Sequence, residues 1–409
     1  MRTLALLLAA TAAAIALTVG QAGSAIGVAA ATECSKGSVR AVIGGRATCL
    51  RTGAKCQAKY ASQYRKHRFV CKNGKLQRAK TRTGPVYPHV PEPPSGPAPK
   101  TVVMPTATAL PDGARTFSMP AASAWTPDIT DLAVAPDALW VSSGPFRIDP
   151  QTNAVTGPFT SFDSQDIGVG EGSVWVSNYN EDTVRRLDAA TGKETGAVKL
   201  PAGSSPEGII DAAGAIWVAT HHGGTVVRID PATNRIAATV VLVPPGSSGP
   251  QGIAAGLGSV WVDVPNANAV FRLDPSTNKV AAVIALPLGI SPCGGIAVGQ
   301  TAVWVTGCLD TTTVARIDPS TNKVSSVLDV GGLVIQPAAD GATAWFVTGG
   351  DPDESPNTVG YLVQLRADDT VVRRIRLGQG FISGGVAVAF GSMWVSDFAH
   401  PRVIRIPSP

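Results

Sequence analysis

The residues best suited to chemistry fall into two sets. The first is Glu207, His221 and His222, a carboxylate and two adjacent imidazoles in the segments SPEGIID and VATHHGG. A carboxylate beside imidazoles can move a proton or hold a metal ion. The plain alternative is a solvated polar loop. The second set is the six cysteines. Cys34, Cys49, Cys56 and Cys71 lie within 38 residues, whereas Cys293 and Cys308 stand far downstream. Four cysteines in a short segment without C-x-x-C pairs predict two disulfides rather than a zinc knuckle, with three connectivities left open. A turn at Gly299-Gln300-Thr301 would set Cys293 opposite Cys308, close enough to bridge.

These residues are positioned by a repeat. Seven tryptophans, Trp140, Trp175, Trp217, Trp261, Trp304, Trp345 and Trp394, follow one another at intervals of 35, 42, 44, 43, 41 and 49 residues. A period in the low forties with several short strands per unit is the mark of propeller blades. Each unit reads as a small-residue strand (GIAVG), an apolar strand around the tryptophan (SVWVS), a strand ending Arg-Ile-Asp or Arg-Leu-Asp, and a looser outer strand. Asp-Pro-x-Thr-Asn joins the last two: proline presets φ, aspartate bonds back to the backbone and asparagine accepts a left-handed conformation. Asp149, Asp230, Asp274 and Asp318 are therefore turn-makers. The fold class expected is all-β, a seven-bladed β-propeller, with six blades as the alternative. The last unit has three strands before the chain ends. ARTFSMP, Ala114 to Pro120, can supply the fourth and hide an open edge.

The expected domains are a signal peptide over 1–31, a basic four-cysteine module over 32–83, a proline-rich linker over 84–113 acting as a semi-rigid spacer, and the propeller over 114–409. The signal assignment rests on an early arginine, a Leu/Ala run and small residues at Ala29-Ala30-Ala31. Glu33 before Cys34 does not suit lipid attachment. Within the module, hairpins turn at Gly44-Gly45 and Asn73-Gly74, and AKCQAKYASQYRKH between them reads as one helix. The net charge of +5 conceals an asymmetry: the module holds fourteen Lys/Arg against Glu33, while the propeller is acidic. An anionic envelope component is the partner expected for residues 32–83, alongside a plain solvated basic face.

By the same strand register, one rim of the ring gathers Asn178, Tyr179, Glu207, Thr220, His221, His222, Gln251, Asp397 and Phe398. That funnel is where propellers take small molecules. Glu207 is expected opposite Thr220. The acidic loop Asp351 to Asn357 lacks the D-x-[DN]-x-[DN]-G calcium pattern, and no phosphate loop, G-x-S-x-G or H-E-x-x-H occurs.

The x-W-V-x-N…V-x-R-I-D-P-x-T-N-K-V pattern of residues 114–409 resembles the virginiamycin B lyase-like (streptogramin lyase) propellers and the YVTN/YncE-type repeats. The resemblance implies the fold. For activity it implies magnesium-dependent elimination on a cyclic depsipeptide lactone, using a histidine in a Pro-His segment and a glutamate three residues after a blade tryptophan. Here the Pro-His slots read Pro206-Glu207, Pro250-Gln251 and Pro292-Cys293, and no post-tryptophan slot holds glutamate.

The leading expectation is thus a secreted, envelope-associated and monomeric propeller. It binds a ligand or protein at the funnel through Asn178, Tyr179, Gln251, Asp397 and Phe398, without a cofactor. The alternative is a magnesium-dependent streptogramin-type lyase or hydrolase with Glu207, His221 and His222 as catalytic residues. A scaffold with no discrete site is the third.

Overall fold

The structure is a computed structural model. It describes residues 34–409 apart from 37, 68, 79–86, 96–97, 120–130, 143, 161–163, 247, 291, 308–311, 350–358, 382, 398–399 and 409. The predicted signal peptide, Cys308, Phe398 and the acidic loop lie outside the described residues. The chain divides into two compact units, Met1–Gly84 and Pro85–Pro409.

The first unit carries hairpins Val39–Ile43/Arg46–Leu50 and Phe69–Lys72/Lys75–Arg78, turned at Gly44-Gly45 and Asn73-Gly74 as expected. The connectivity left open resolves to Cys34–Cys49 and Cys56–Cys71. The expected long helix is shorter, a 3₁₀ turn at Ala58–Tyr60 followed by Ala61–Lys66. Its first turn is lost because Cys56 N–H donates to the Gly74 carbonyl and Ala54 accepts from Leu76 N–H, tying 54–56 to the second hairpin. Phe69, Leu76, Leu50 and Tyr64 form the core.

The second unit is a seven-bladed propeller. Its four-stranded blades begin at Leu132, Asp166, Pro206, Ile253, Pro292, Leu333 and Ser383, each an antiparallel meander running from axis to rim. Alternation on the second strands buries six of the seven blade tryptophans fully, filling the wedges between sheets. The last blade closes as expected: Arg115–Ser118 pairs antiparallel with Arg402–Pro407, and Phe117 lies 5.6 Å from the Trp394 ring. Crowding at the axis explains the small residues there. A Cβ on Gly170 would meet Asp211 Cβ of the next blade at 2.4 Å.

The repeated Arg and the Asp-Pro-x-Thr-Asn turn do more than shape a hairpin. Arg272 lies over Trp261 (4.8 Å), donates to Ser259 Oγ (2.9 Å) and crosses to the next blade, donating to the Pro319 carbonyl (2.8 Å) and Asn322 Oδ1 (3.0 Å). Arg186 does the same to Pro231 and Asn234, and Arg405 to Pro150 and Asn153, which seals blade seven to blade one. The turn asparagines Asn153, Asn234, Asn278 and Asn322 adopt positive φ, as their type predicts.

One expectation is corrected. The proline-rich segment is not a free spacer over its described part. Lys100–Thr101 adds a parallel fifth strand to blade five, Thr108 bridges Ile375 of blade six, and Val90, Val102 and Leu110 pack on three blades in turn. The prolines keep it extended, but the apolar residues between them find the exposed rim.

Candidate functional site

Four inner strands carry a β-bulge near their start, at Pro206/Ile209, Pro292/Ile296, Ile335/Ala338 and Ser383/Val386. A bulge re-aims side chains, and here it turns them toward the funnel. In blade three it shifts the pairing by one, so Pro206, not Glu207, faces Thr220. Gly208 in the bulge has no room for a side chain, since a Cβ would stand 2.4 Å from the Gln251 carbonyl. Glu207 is thereby thrown forward to meet the loop after the second strand.

That loop holds the two histidines. Thr220 Oγ1 meets Thr225 Oγ1 at 2.7 Å, His221 N–H donates to the Ser205 carbonyl at 2.9 Å, and Gly246 N–H donates to the His222 carbonyl at 2.9 Å. His221 Nδ1 stands 3.5 Å from Glu207 Oε1, both side chains being largely buried. Its Nε2 accepts the Ser248 backbone N–H at 3.0 Å. An Nε2 that accepts must lack its proton, so neutral His221 carries its proton on Nδ1, toward Glu207. That Nδ1 is buried without a hydrogen-bond partner among the described residues, so the 3.5 Å approach to Glu207 is a contact rather than a formed hydrogen bond. His222 Nδ1 lies 3.0 Å from Ser205 Oγ, and the Tyr179 hydroxyl stands 3.3 Å from its Nε2. The rings pack edge to face, His221 on His222 at 4.9 Å and Tyr179 on His222 at 5.6 Å. Burial, and then the Glu207 charge, hold the Tyr179 hydroxyl above its ordinary pKa, so it remains a donor at neutral pH.

The remaining expected residues part company. Asn178 is buried and spends Oδ1 on the Glu181 N–H, closing its hairpin. Asp397 is fully buried under Arg402, whose Nη2 and Nε reach Oδ2 at 2.6 and 2.7 Å, with His400 Nδ1 at 3.0 Å. Both serve the turns that follow a second strand instead of facing a ligand. Gln251 sits behind Gly208, its Oε1 buried with no hydrogen-bond partner among the described residues. Cys293 is disulfide-bonded, and the predicted partner Cys308 lies outside the described residues.

Sequence reading missed the throat of the funnel. Asp131 and Asp166 open the inner strands of blades one and two and share a side-chain hydrogen bond. Each also accepts the next backbone N–H, at 2.7 and 2.6 Å. Burial raises both carboxyls, Asp166 the more strongly because Asp131 and Glu207 add negative charge. Glycines Gly208, Gly252, Gly295 and Gly385 occupy the same place in four other blades, nine residues before the tryptophan. Aligning the repeats on that offset is the signal that would have exposed the pair.

Among the described residues no group of three His, Cys, Asp or Glu side chains gathers where a metal ion could be held. Glu207 is the sole carboxylate in the histidine cluster, and the His221 nitrogens are directed at Ser248 and Glu207.

No protein-family profile and no curated protein sequence matches the chain. Solved structures do. A streptogramin B lyase aligns at 18% identity and TM-score 0.59, covering 72% of this chain and 97% of its own. Virginiamycin B lyase from Staphylococcus aureus aligns at 16% and 0.60 over 72% and 99%, and its catalytically inactive histidine-to-alanine variant with quinupristin at 15% and 0.58 over 72% and 99%. A chain of the mitotic checkpoint complex aligns comparably, at 10% and 0.59 over 77% and 97%. At such identities the likeness is one of fold. The chain is a seven-bladed β-propeller, preceded by a small disulfide-bonded basic module, and its propeller has the fold that the streptogramin lyases share with other propellers.

Proposed function

We propose that the protein is an exported binding propeller whose funnel takes a small molecule or protein, while the basic module holds it to an anionic envelope component. The observation that carries the funnel reading is the placement of His221 between the Ser248 backbone and Glu207. With Nε2 accepting from Ser248 and Nδ1 3.5 Å from Glu207 Oε1, the imidazole is held in one orientation at the funnel. His222, Tyr179 and Ser205 then offer a preorganised polar rim above an acidic throat. That polarity suits a ligand presenting hydrogen-bond donors or a positive charge. Two disulfides in the module, and no helix among the described residues long and apolar enough to cross a membrane, agree with an extracellular setting.

A second reading keeps Glu207 as a general base in elimination on a cyclic ester, supported by the lyase-like fold and by the carboxylate lying in the funnel. No step through magnesium is drawn. Incubation with quinupristin, the ligand of the lyase variant, separates the readings. Binding by calorimetry without conversion, lost in His222→Ala, supports the binding site. Ring opening, seen as a change in chromatographic retention at unchanged mass and lost in Glu207→Ala, replaces it with the lyase. Neither binding nor opening withdraws quinupristin-like lactones as ligands and favours the scaffold alternative.

A further inference from the structure

The module carries a cleft of about 860 Å³ between its two hairpins. Arg46, Lys55, Lys59 and Lys75 stand on its walls and no carboxylate does. Lys55 and Lys75 are bridge partners on adjacent antiparallel segments, which roots two basic side chains opposite each other. Like charges directly opposite each other destabilise a strand pair, and a partner anion is what relieves such a pair. Both disulfides end in the walls, at Cys49 and Cys56, so the backbone that carries the cations is fixed before any ligand arrives.

We propose that this cleft binds a phosphodiester polymer of polyol or sugar units, a deepening that rests on the anionic-partner reading above. Three of the four cations are lysines, point charges suited to successive phosphates rather than to bidentate recognition of one group. Thr48, Gln57 and Asn73 add hydrogen-bonding groups for the hydroxyls between phosphates. Single-stranded nucleic acid needs an open aromatic face for its bases. The cleft offers none: Tyr64 is 5% exposed, and Tyr60 is covered by Lys59 (5.1 Å from the ring) and pressed against Gly44.

The test uses the full chain from Thr32 and poly(glycerol phosphate) as the probe. Saturable binding is expected, falling more than about tenfold between 50 and 200 mM salt as counterions are released. Lys55→Gln/Lys59→Gln/Lys75→Gln lowers affinity by at least about thirtyfold. Lys36→Gln/Arg51→Gln/Lys72→Gln, which removes the same charge from outside the cleft, lowers it less than about threefold. Melting temperatures of both triple variants within a few degrees of the unaltered chain are required alongside, so that a folding defect cannot imitate the result. Equal losses in the two triple variants overturn the cleft while leaving the anionic-partner reading standing. No binding by the unaltered chain at 50 mM salt overturns both. Equally tight binding of an oligothymidylate of matched charge replaces the polyol-phosphate assignment with nucleic acid.

Discussion

At the residue scale, the throat and the rim turns titrate in opposite senses. Asp166 has its pKa raised in the folded protein, so its contribution is complete below the unfolded value of about 4 and is lost as pH rises through the folded value. Asp166→Asn keeps an acceptor for Ile167 N–H and removes a charge beside Asp131 and Glu207. It is expected to raise the melting temperature at pH 7 and flatten the slope above pH 4 in a thermal-melt series. Asp274 behaves conversely. Ser276 and Thr277 hydrogen bonds lower it to about 2, so its contribution is present above pH 4 and disappears as pH falls toward 2. Asp274→Asn should weaken that acid-side loss without affecting the slope above pH 4. Aspartates Asp149, Asp230, Asp274 and Asp318 were legible as turn-makers because their partners are two and three residues away. Asp131 and Asp166 were not, because what makes them a pair is the packing of blade two against blade one, which sets two inner strands 35 residues apart side by side.

At the scale of elements, the arginine clamps join neighbouring blades. Arg272→Ala removes two charge-assisted hydrogen bonds to the next blade and is expected to cost about 2–3 kcal/mol. Arg272→Lys should recover little, since an ammonium cannot stack on Trp261 and reach Ser259, Pro319 and Asn322 together. Both are measured by urea unfolding. Strand order, blade number and the terminal closure were readable from tryptophan spacing and from one missing strand. The bulges were not. Gly208 and the Gly294-Gly295 and Gly384-Gly385 pairs mark three of the four, but a glycine on an inner strand also answers plain crowding at the axis, and a one-residue slip leaves no other trace. That slip is why Glu207 was matched to Thr220, and why its meeting with His221 followed from the right neighbourhood but the wrong register.

At the scale of the molecule, the ring is sealed by non-covalent contacts at one seam. Phe117 is 6% exposed and packs with Trp394 and Val141 across blades seven and one. Phe117→Ala should cost about 3–5 kcal/mol, read as a lowered denaturation midpoint with the transition remaining cooperative. On the proposed export, the mass of the secreted protein should correspond to a chain beginning at Thr32.

Among the described residues, the segment from Val90 to Ser118 makes its backbone pairings with blades five, six and seven, the part of the propeller synthesised last. While the ribosome makes the intervening residues those pairings cannot form, and the ring stays open until residues 402–407 emerge. The module needs no such wait, since its core and both its disulfides lie between residues 34 and 78. The chain therefore carries its own order of assembly. The disulfide-bonded module can mature first, the propeller remains unsealed until residues 402–407 are made, and that six-residue strand acts as the latch that commits the whole ring at once.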